Sequence, residues 1–370
     1  MKKKIVILII SIIIAFLCGL LIGYYEILPI SFLIDNIFAN YSDDNVIPFQ
    51  ISESETASLI RINSNDDIIQ KRNSLIGLIW NEKGFPFSQP TTIDTNINDS
   101  RYNDHNDIKQ IDKIIINMDN NINSISYLFH PLNSNNKLLI YHQGHDGDFF
   151  NGKNTIQFFL KKGYTVLALS MPLLGMNNQP VIELPNSGKV KFSSHNQFIL
   201  LDSNNFSSIK YFVEPIAISL NYLDKNYNFD SYYMVGISGG GWTTVLYAAI
   251  DDRISKSYSV AGSLPLHLRY EQKNIGDYEQ LNPKLYSIAN YLELYVMASY
   301  GEQRKFVQIF NKYDPCCFSG ELYKTYKNVI KQKMEFLQNG VFEVYLDDTH
   351  SEHKISNHAL NFISNDIEMI

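Results

Sequence analysis

Hydrophobic positions fall into two patterns along the chain. The first is an unbroken apolar run from Ile5 to Gly23 behind Met1-Lys2-Lys3-Lys4, long enough to cross a bilayer as one helix. The second begins at residue 137, where short apolar segments at 137–142, 164–170, 231–237, 256–261, 305–311 and 341–347 alternate with helix-length stretches. Those stretches lie near 154–162, 206–225, 239–250, 319–338 and 354–366. Apolar strands separated by helices form a mostly parallel sheet covered on both faces. Ahead of them, 113–117 and 125–129 flank Asp119-Asn120-Asn121 and read as a hairpin. The rest of 51–136 is rich in Asn, Ile and Asp, a compositional bias that marks no further elements.

The division that follows is a cytoplasmic tail (1–4), a transmembrane signal anchor (5–23), a juxtamembrane tether (24–50) and one α/β domain (51–370). Lysines precede the apolar run and Glu26, Asp35, Asp43 and Asp44 follow it, so the positive-inside rule puts the body on the periplasmic or extracellular side. The run carries no small-x-small cleavage site, and Leu17 precedes Cys18 where a lipidation site would need a small residue. Segments 171–204 and 264–300 exceed ordinary connections and are expected to be lid or cap insertions. A net charge of −7, with no basic run past the first four residues, excludes a nucleic-acid footprint. Adjacent cysteines close only a strained ring, so Cys316 and Cys317 are expected as two buried thiols behind a loop, or with one of them partnered externally.

Chemistry concentrates where predicted strands end. The strand 231–237 runs into Ser238-Gly239-Gly240-Gly241 and then an apolar helix beginning at Trp242. A serine on a tight strand-to-helix turn, with small neighbours that let strand and helix approach, is a nucleophile elbow. Its place at a helix N-terminus favours the negative charge of acyl transfer, and the Gly239 N–H is an oxyanion donor. Neither the Lys-Ser/Thr ending of a P-loop nor the spacing of a dinucleotide fingerprint is present. The strand 137–142 leads to His142-Gln143-Gly144-His145, where Gln143 or Gly144 would lend the second donor. The strand 305–311 leads to Asp314-Pro315, and 341–347 leads to His350 and His353.

In this order of oxyanion loop, serine, acid and histidine, the chain resembles the α/β-hydrolase superfamily over roughly residues 110–370. The resemblance implies a triad in which histidine takes the serine proton and the carboxylate orients the imidazole. Those roles fall to Ser238, Asp314 and His353, with His350 as the alternative histidine. Two H-x-x-H pairs, His142/His145 and His350/His353, raise the possibility of zinc, but neither has the helical H-E-x-x-H spacing; no metal and no cofactor is expected. The function expected is a membrane-anchored carboxylic ester hydrolase or deacylase acting on a small-molecule or envelope acyl ester. A peptidase or amidase on the same triad, or a non-catalytic envelope binding protein that keeps the fold, are the alternatives.

Overall fold

The computed structural model describes residues 51–81, 84–185, 187–269 and 275–369. The expected tail, membrane helix (with Cys18) and tether lie outside the described residues. Among the described residues no helix is long and apolar enough to cross a membrane.

In chain order the strands are β1 (Thr92–Asp94), β2 (Ile108–Asn117), β3 (Asn123–Pro131), β4 (Lys137–His142), β5 (Thr165–Leu169), β6 (Val181–Leu184), β7 (Gly188–Lys191), β8 (Ser231–Ile237), β9 (Ile254–Val260), β10 (Lys305–Asn311) and β11 (Val341–Asp347). The helices are α1 (Glu53–Ser58), α2 (Asn65–Trp80), α3 (Lys153–Lys161), α4 (Lys210–Asn226), α5 (Gly239–Ile250), α6 (Tyr278–Leu281), α7 (Pro283–Ile288), α8 (Tyr291–Ser299), α9 (Lys327–Leu337) and α10 (Asn357–Glu368).

Nine strands form one sheet in the order β1-β2-β3-β5-β4-β8-β9-β10-β11. From β5 to β11 all neighbours are parallel, while β1, β2 and β3 extend the sheet antiparallel. The expected hairpin is β2 and β3. Alternation along each strand feeds two cores: Leu138, Ile140, Met234 and Phe306 face one, and Leu139, Tyr141, Val235 and Val307 face the other. This period of two is why the central strands are apolar throughout: both faces are covered. From β4 the chain steps to β5 on one side, then returns to β8 on the other. Such a switch point opens a crevice at the carboxyl ends of the two strands.

Residues 51–80, assigned no elements above, form two capped helices. Ser52 and Ser64 each build a capping box, with Glu55 and Asp67 as their partners. Buried Glu293 at the start of α8 accepts from the Arg61 N–H at 2.8 Å and from Lys71 Nζ at 3.2 Å. These bonds fasten the N-terminal helices to the domain.

The two expected insertions differ in kind. Segment 171–204 contains the hairpin β6–β7 and a 3-10 turn over His195–Leu200. Segment 264–300 is an insertion only in its first part. Helix α8 is buried along its whole length and belongs to the layers around α5, because its apolar and aromatic side chains leave no polar face for solvent. The two insertions meet, with the Tyr278 N–H donating to Asn196 Oδ1 at 2.9 Å and Tyr278 Oη to Asp202 Oδ2 at 2.6 Å. Buried Arg269 holds the second together, donating to the Leu264 and Ile275 carbonyls and to Gln280 Oε1 at 2.6–2.9 Å.

Candidate active site

Ser238 stands between β8 and α5 with φ 55° and ψ −125°. That left-handed backbone is strained by about 1–3 kcal/mol for a residue with a Cβ, so the surroundings must hold it. Its N–H donates to Val260 O at 2.9 Å and its carbonyl caps α5 through the Trp242 N–H at 3.0 Å. Two close approaches explain the glycines. A Cβ on Gly236 would collide with the Gly240 carbonyl, and one on Gly240 with the carbonyls of His142 and Gln143. The loop after β4 is thereby pressed onto the elbow. A Cβ on Gly144 would lie 2.6 Å from that of Ser238. Trp242 anchors the helix from the core, its indole N–H donating to Tyr286 Oη at 2.8 Å.

The two nominated donors on the loop after β4 separate. The Gln143 N–H is spent on Leu169 O at 2.9 Å, which continues the parallel pairing of β4 with β5, and its side-chain amide bonds to Tyr141 Oη and Asp146. Gln143 is thus corrected from donor to brace. The Gly144 N–H has no partner among the described residues, and the Gly239 N–H opens a helix, where no carbonyl is available to it. These two N–H groups stand unspent beside Ser238.

Asp314 follows β10 and His353 follows β11, neighbours in the sheet. The structure brings them together, His353 Nδ1 donating to Asp314 Oδ2 at 2.6 Å. The other Asp314 oxygen accepts the Cys316 N–H at 2.8 Å. Burial alone would raise this carboxyl; the bonds from His353 and Cys316 outweigh it and hold the group below the usual carboxylate value. With Nδ1 as donor, His353 keeps the lone pair on Nε2, the tautomer a general base needs. His350 has a different position, its Nε2 3.4 Å from Asp347 Oδ2 and its Nδ1 accepting the Glu352 N–H. Fully buried Asp347 in turn accepts from the Thr349 N–H at 3.0 Å, from Thr349 Oγ1 at 2.6 Å and from Ser356 Oγ. It braces the loop that carries His353. Asn311 Nδ2 donates to Lys354 O at 2.9 Å, tying the same loop to the acid. Neither brace has a motif; each is a polar residue with no exposure at the end of a parallel strand.

Cys316 and Cys317 form a disulfide, and Cys316 is exposed. The expectation of two buried thiols is therefore corrected: the turn after Asp314 brings the two sulfurs together at the surface edge of the acid loop.

The four histidines of the two H-x-x-H pairs do not meet. His142 is buried and donates Nδ1–H to Gln143 O at 2.9 Å; burial lowers it to about 4. His145 turns instead toward His195, Asp277 and Glu279, its Nε2 standing 3.1 Å from His195 Nδ1 and 3.0 Å from a carboxylate oxygen of each acid. Burial lowers His145 and these carboxylates overcome it, raising the group to about 10. Burial raises Glu279, and the two histidines beside it bring it to about 2. This cluster abuts the elbow: a Cβ on Gly239 would lie 2.5 Å from His145 Cε1. It was missed in the sequence because its members come from three separate segments.

No family model matches the sequence, and no curated protein matches it. Solved structures do resemble the fold. Methylesterase BT1017 aligns with a TM-score of 0.59 at 13% identity, over 85% of this chain and 66% of its own. Acetyl xylan esterase 1 from Thermoanaerobacterium sp. JW/SL YS485 aligns at 0.55 and 14% identity, over 86% of this chain and 98% of its own. An acetyl xylan esterase from Paenibacillus sp. R4 aligns at 0.54 and 15% identity, over 86% and 99%. At such identities the likeness concerns the fold alone: an α/β fold with a mostly parallel central sheet and flanking helices, which fits an α/β-hydrolase.

Proposed function

We propose that the chain is a serine hydrolase that cleaves carboxylic esters through an acyl-enzyme on Ser238. The observation that carries this reading is the Asp314–His353 bond of 2.6 Å, made on the same sheet edge where Ser238 occupies a strained elbow flanked by two unspent backbone N–H groups. Each step then has an assigned group. Ser238 Oγ attacks the ester carbonyl carbon as its proton passes to His353 Nε2, and the carbonyl π electrons move onto oxygen, held by the N–H groups of Gly239 and Gly144. Collapse of that intermediate breaks the bond to the leaving alcohol, which takes the proton from His353. Water then adds to the acyl carbon with His353 again as base, and release of the acid restores Ser238. Asp314 stays ionised throughout and stabilises the imidazolium.

The neighbours named as acetyl xylan esterases and a methylesterase support an ester as the substrate class. We place the body outside the membrane, tethered through residues 5–23, on the charge asymmetry of that run; its substrate is then an envelope or environmental acyl ester. The test is hydrolysis of a panel of aryl esters by the full-length chain. His353→Ala should abolish turnover and His350→Ala should leave most of it. Equal loss in both, or loss only in His350→Ala, overturns the assignment of the base.

A further inference from the structure

Beyond the hydrolytic centre, His145, His195, Asp277 and Glu279 form a second constellation that the proposed mechanism does not use. We propose that these four side chains bind one zinc-class divalent cation, which clasps both insertions to the loop that carries Gly144.

The donor separations have the right size. His145 Nε2 lies 3.1 Å from His195 Nδ1, 3.0 Å from Glu279 Oε1 and 3.0 Å from Asp277 Oδ2, and His195 Nδ1 lies 3.5 Å from Glu279 Oε2. A tetrahedron whose vertices stand 2.0–2.1 Å from zinc has edges of about 3.3 Å. Hydrogen bonding alone serves the group poorly. His145 Nε2 carries at most one proton yet faces three partners, and Glu279 Oε2 has no hydrogen bond although the residue has no exposed surface. A buried carboxylate oxygen left unpaired is disfavoured, and this one lies 3.5 Å from His195 Nδ1.

The surrounding groups fit a metal site. His195 Nε2 is 2.8 Å from the Pro172 carbonyl, which only accepts, so Nε2 carries the proton and Nδ1 directs a lone pair inward. A ligating imidazole that donates its other N–H to a backbone carbonyl is the usual arrangement around zinc. Two carboxylates with two neutral imidazoles leave a charge of about −2, which a divalent cation neutralises. Two nitrogen and two oxygen donors favour zinc or a neighbouring transition metal over calcium or magnesium, which take all-oxygen shells. Four protein ligands make a closed, structural site.

Position gives the cation its role. His145 follows Gly144 directly, His195 belongs to the first insertion, and Asp277 and Glu279 to the second. With Nε2 on the metal, the His145 proton resides on Nδ1, which faces the Gly239 backbone. The clasp therefore fixes both the insertions and the tautomer of a histidine that touches the elbow.

The test uses the full-length chain, stripped with a chelator, dialysed against zinc and measured by elemental mass spectrometry. Wild type should retain about one zinc per chain, His195→Ala and Glu279→Gln essentially none, and half-exposed Asp277→Asn should bind roughly tenfold or more weakly while keeping the wild-type circular dichroism spectrum. Cobalt in place of zinc should give the strong visible bands of a tetrahedral site. Ser238→Ala should retain zinc fully while losing any esterase activity, so failure of the hydrolase reading and failure of the metal site are told apart. Zinc retention in wild type no greater than in a folded Asp277→Asn variant, or weak octahedral cobalt bands, overturns the proposal.

Discussion

Replacing Asp314 by Asn exchanges one carboxylate oxygen for an NH2 group in a site that is 5% exposed, and the structure says which oxygen is lost. Oδ1 accepts the Cys316 N–H at 2.8 Å and Oδ2 accepts His353 Nδ1–H at 2.6 Å. With the NH2 at the first position, two donors face each other and about 1–3 kcal/mol is lost, because the Cys316 amide has no other protonation state. With it at the second, His353 adapts by moving its proton to Nε2, so Nδ1 accepts. The second orientation is preferred, and it leaves His353 Nε2 protonated and unable to act as a base. A triad in the wrong tautomer loses about 10³–10⁴ in rate, roughly 4–5.5 kcal/mol of transition-state stabilisation. Folding stability should change by only about 1–2 kcal/mol, since shape and most hydrogen bonds survive. The assay is kcat/KM for p-nitrophenyl acetate beside thermal unfolding of the same samples. Activity within about tenfold of wild type, in a protein equally stable, would refute the role given to this carboxylate.

Two further outcomes follow from the same loops. Gly240→Ala should lower thermal stability by about 1–3 kcal/mol or more and depress turnover, because the added Cβ collides with the carbonyls of His142 and Gln143; unchanged melting would contradict the tight approach of the loop after β4. Asp347→Asn should destabilise the protein by about 1–3 kcal/mol at neutral pH. Burial raises this carboxyl, yet the bonds from Ser356 and Thr349 hold it below 3.8. A depressed folded value means stability present above 3.8 and lost as pH falls through the folded value. The gap between wild type and variant, followed by urea unfolding, should therefore close below about pH 4; a gap that widens there would reverse the sign.

What was legible in the sequence is the part whose determinants are local. The strands β4, β8, β10 and β11 fall within a residue or two of their apolar runs, because covering both faces removes polar positions and leaves sharp ends. The elbow was legible for a steric reason, since Gly236 and Gly240 answer contacts that any turn of this kind makes. Helices α1 and α2 were not assigned, although Ser52 with Glu55 and Ser64 with Asp67 had the spacing of capping boxes; a surrounding excess of Asn and Asp hid the caps. The assignment of α8 to a lid failed because its length and aromatics resemble an insertion, while its burial depends on neighbours far away in sequence. Gln143 and Gly144 are equivalent in the sequence, and only the pairing of β4 with β5 separates them, by consuming the Gln143 N–H on Leu169 O. The cluster at His145 depends wholly on tertiary structure, since 50 residues separate His145 from His195 and 134 separate it from Glu279.

The central claim is that Ser238 is a nucleophile activated by His353. Its most direct measurement is reaction of the full-length chain with a fluorophosphonate, followed by intact mass and peptide mapping. The account predicts a single adduct on Ser238, absent in Ser238→Ala and strongly slowed in His353→Ala. An unmodified protein, or an adduct on any other residue, would contradict it.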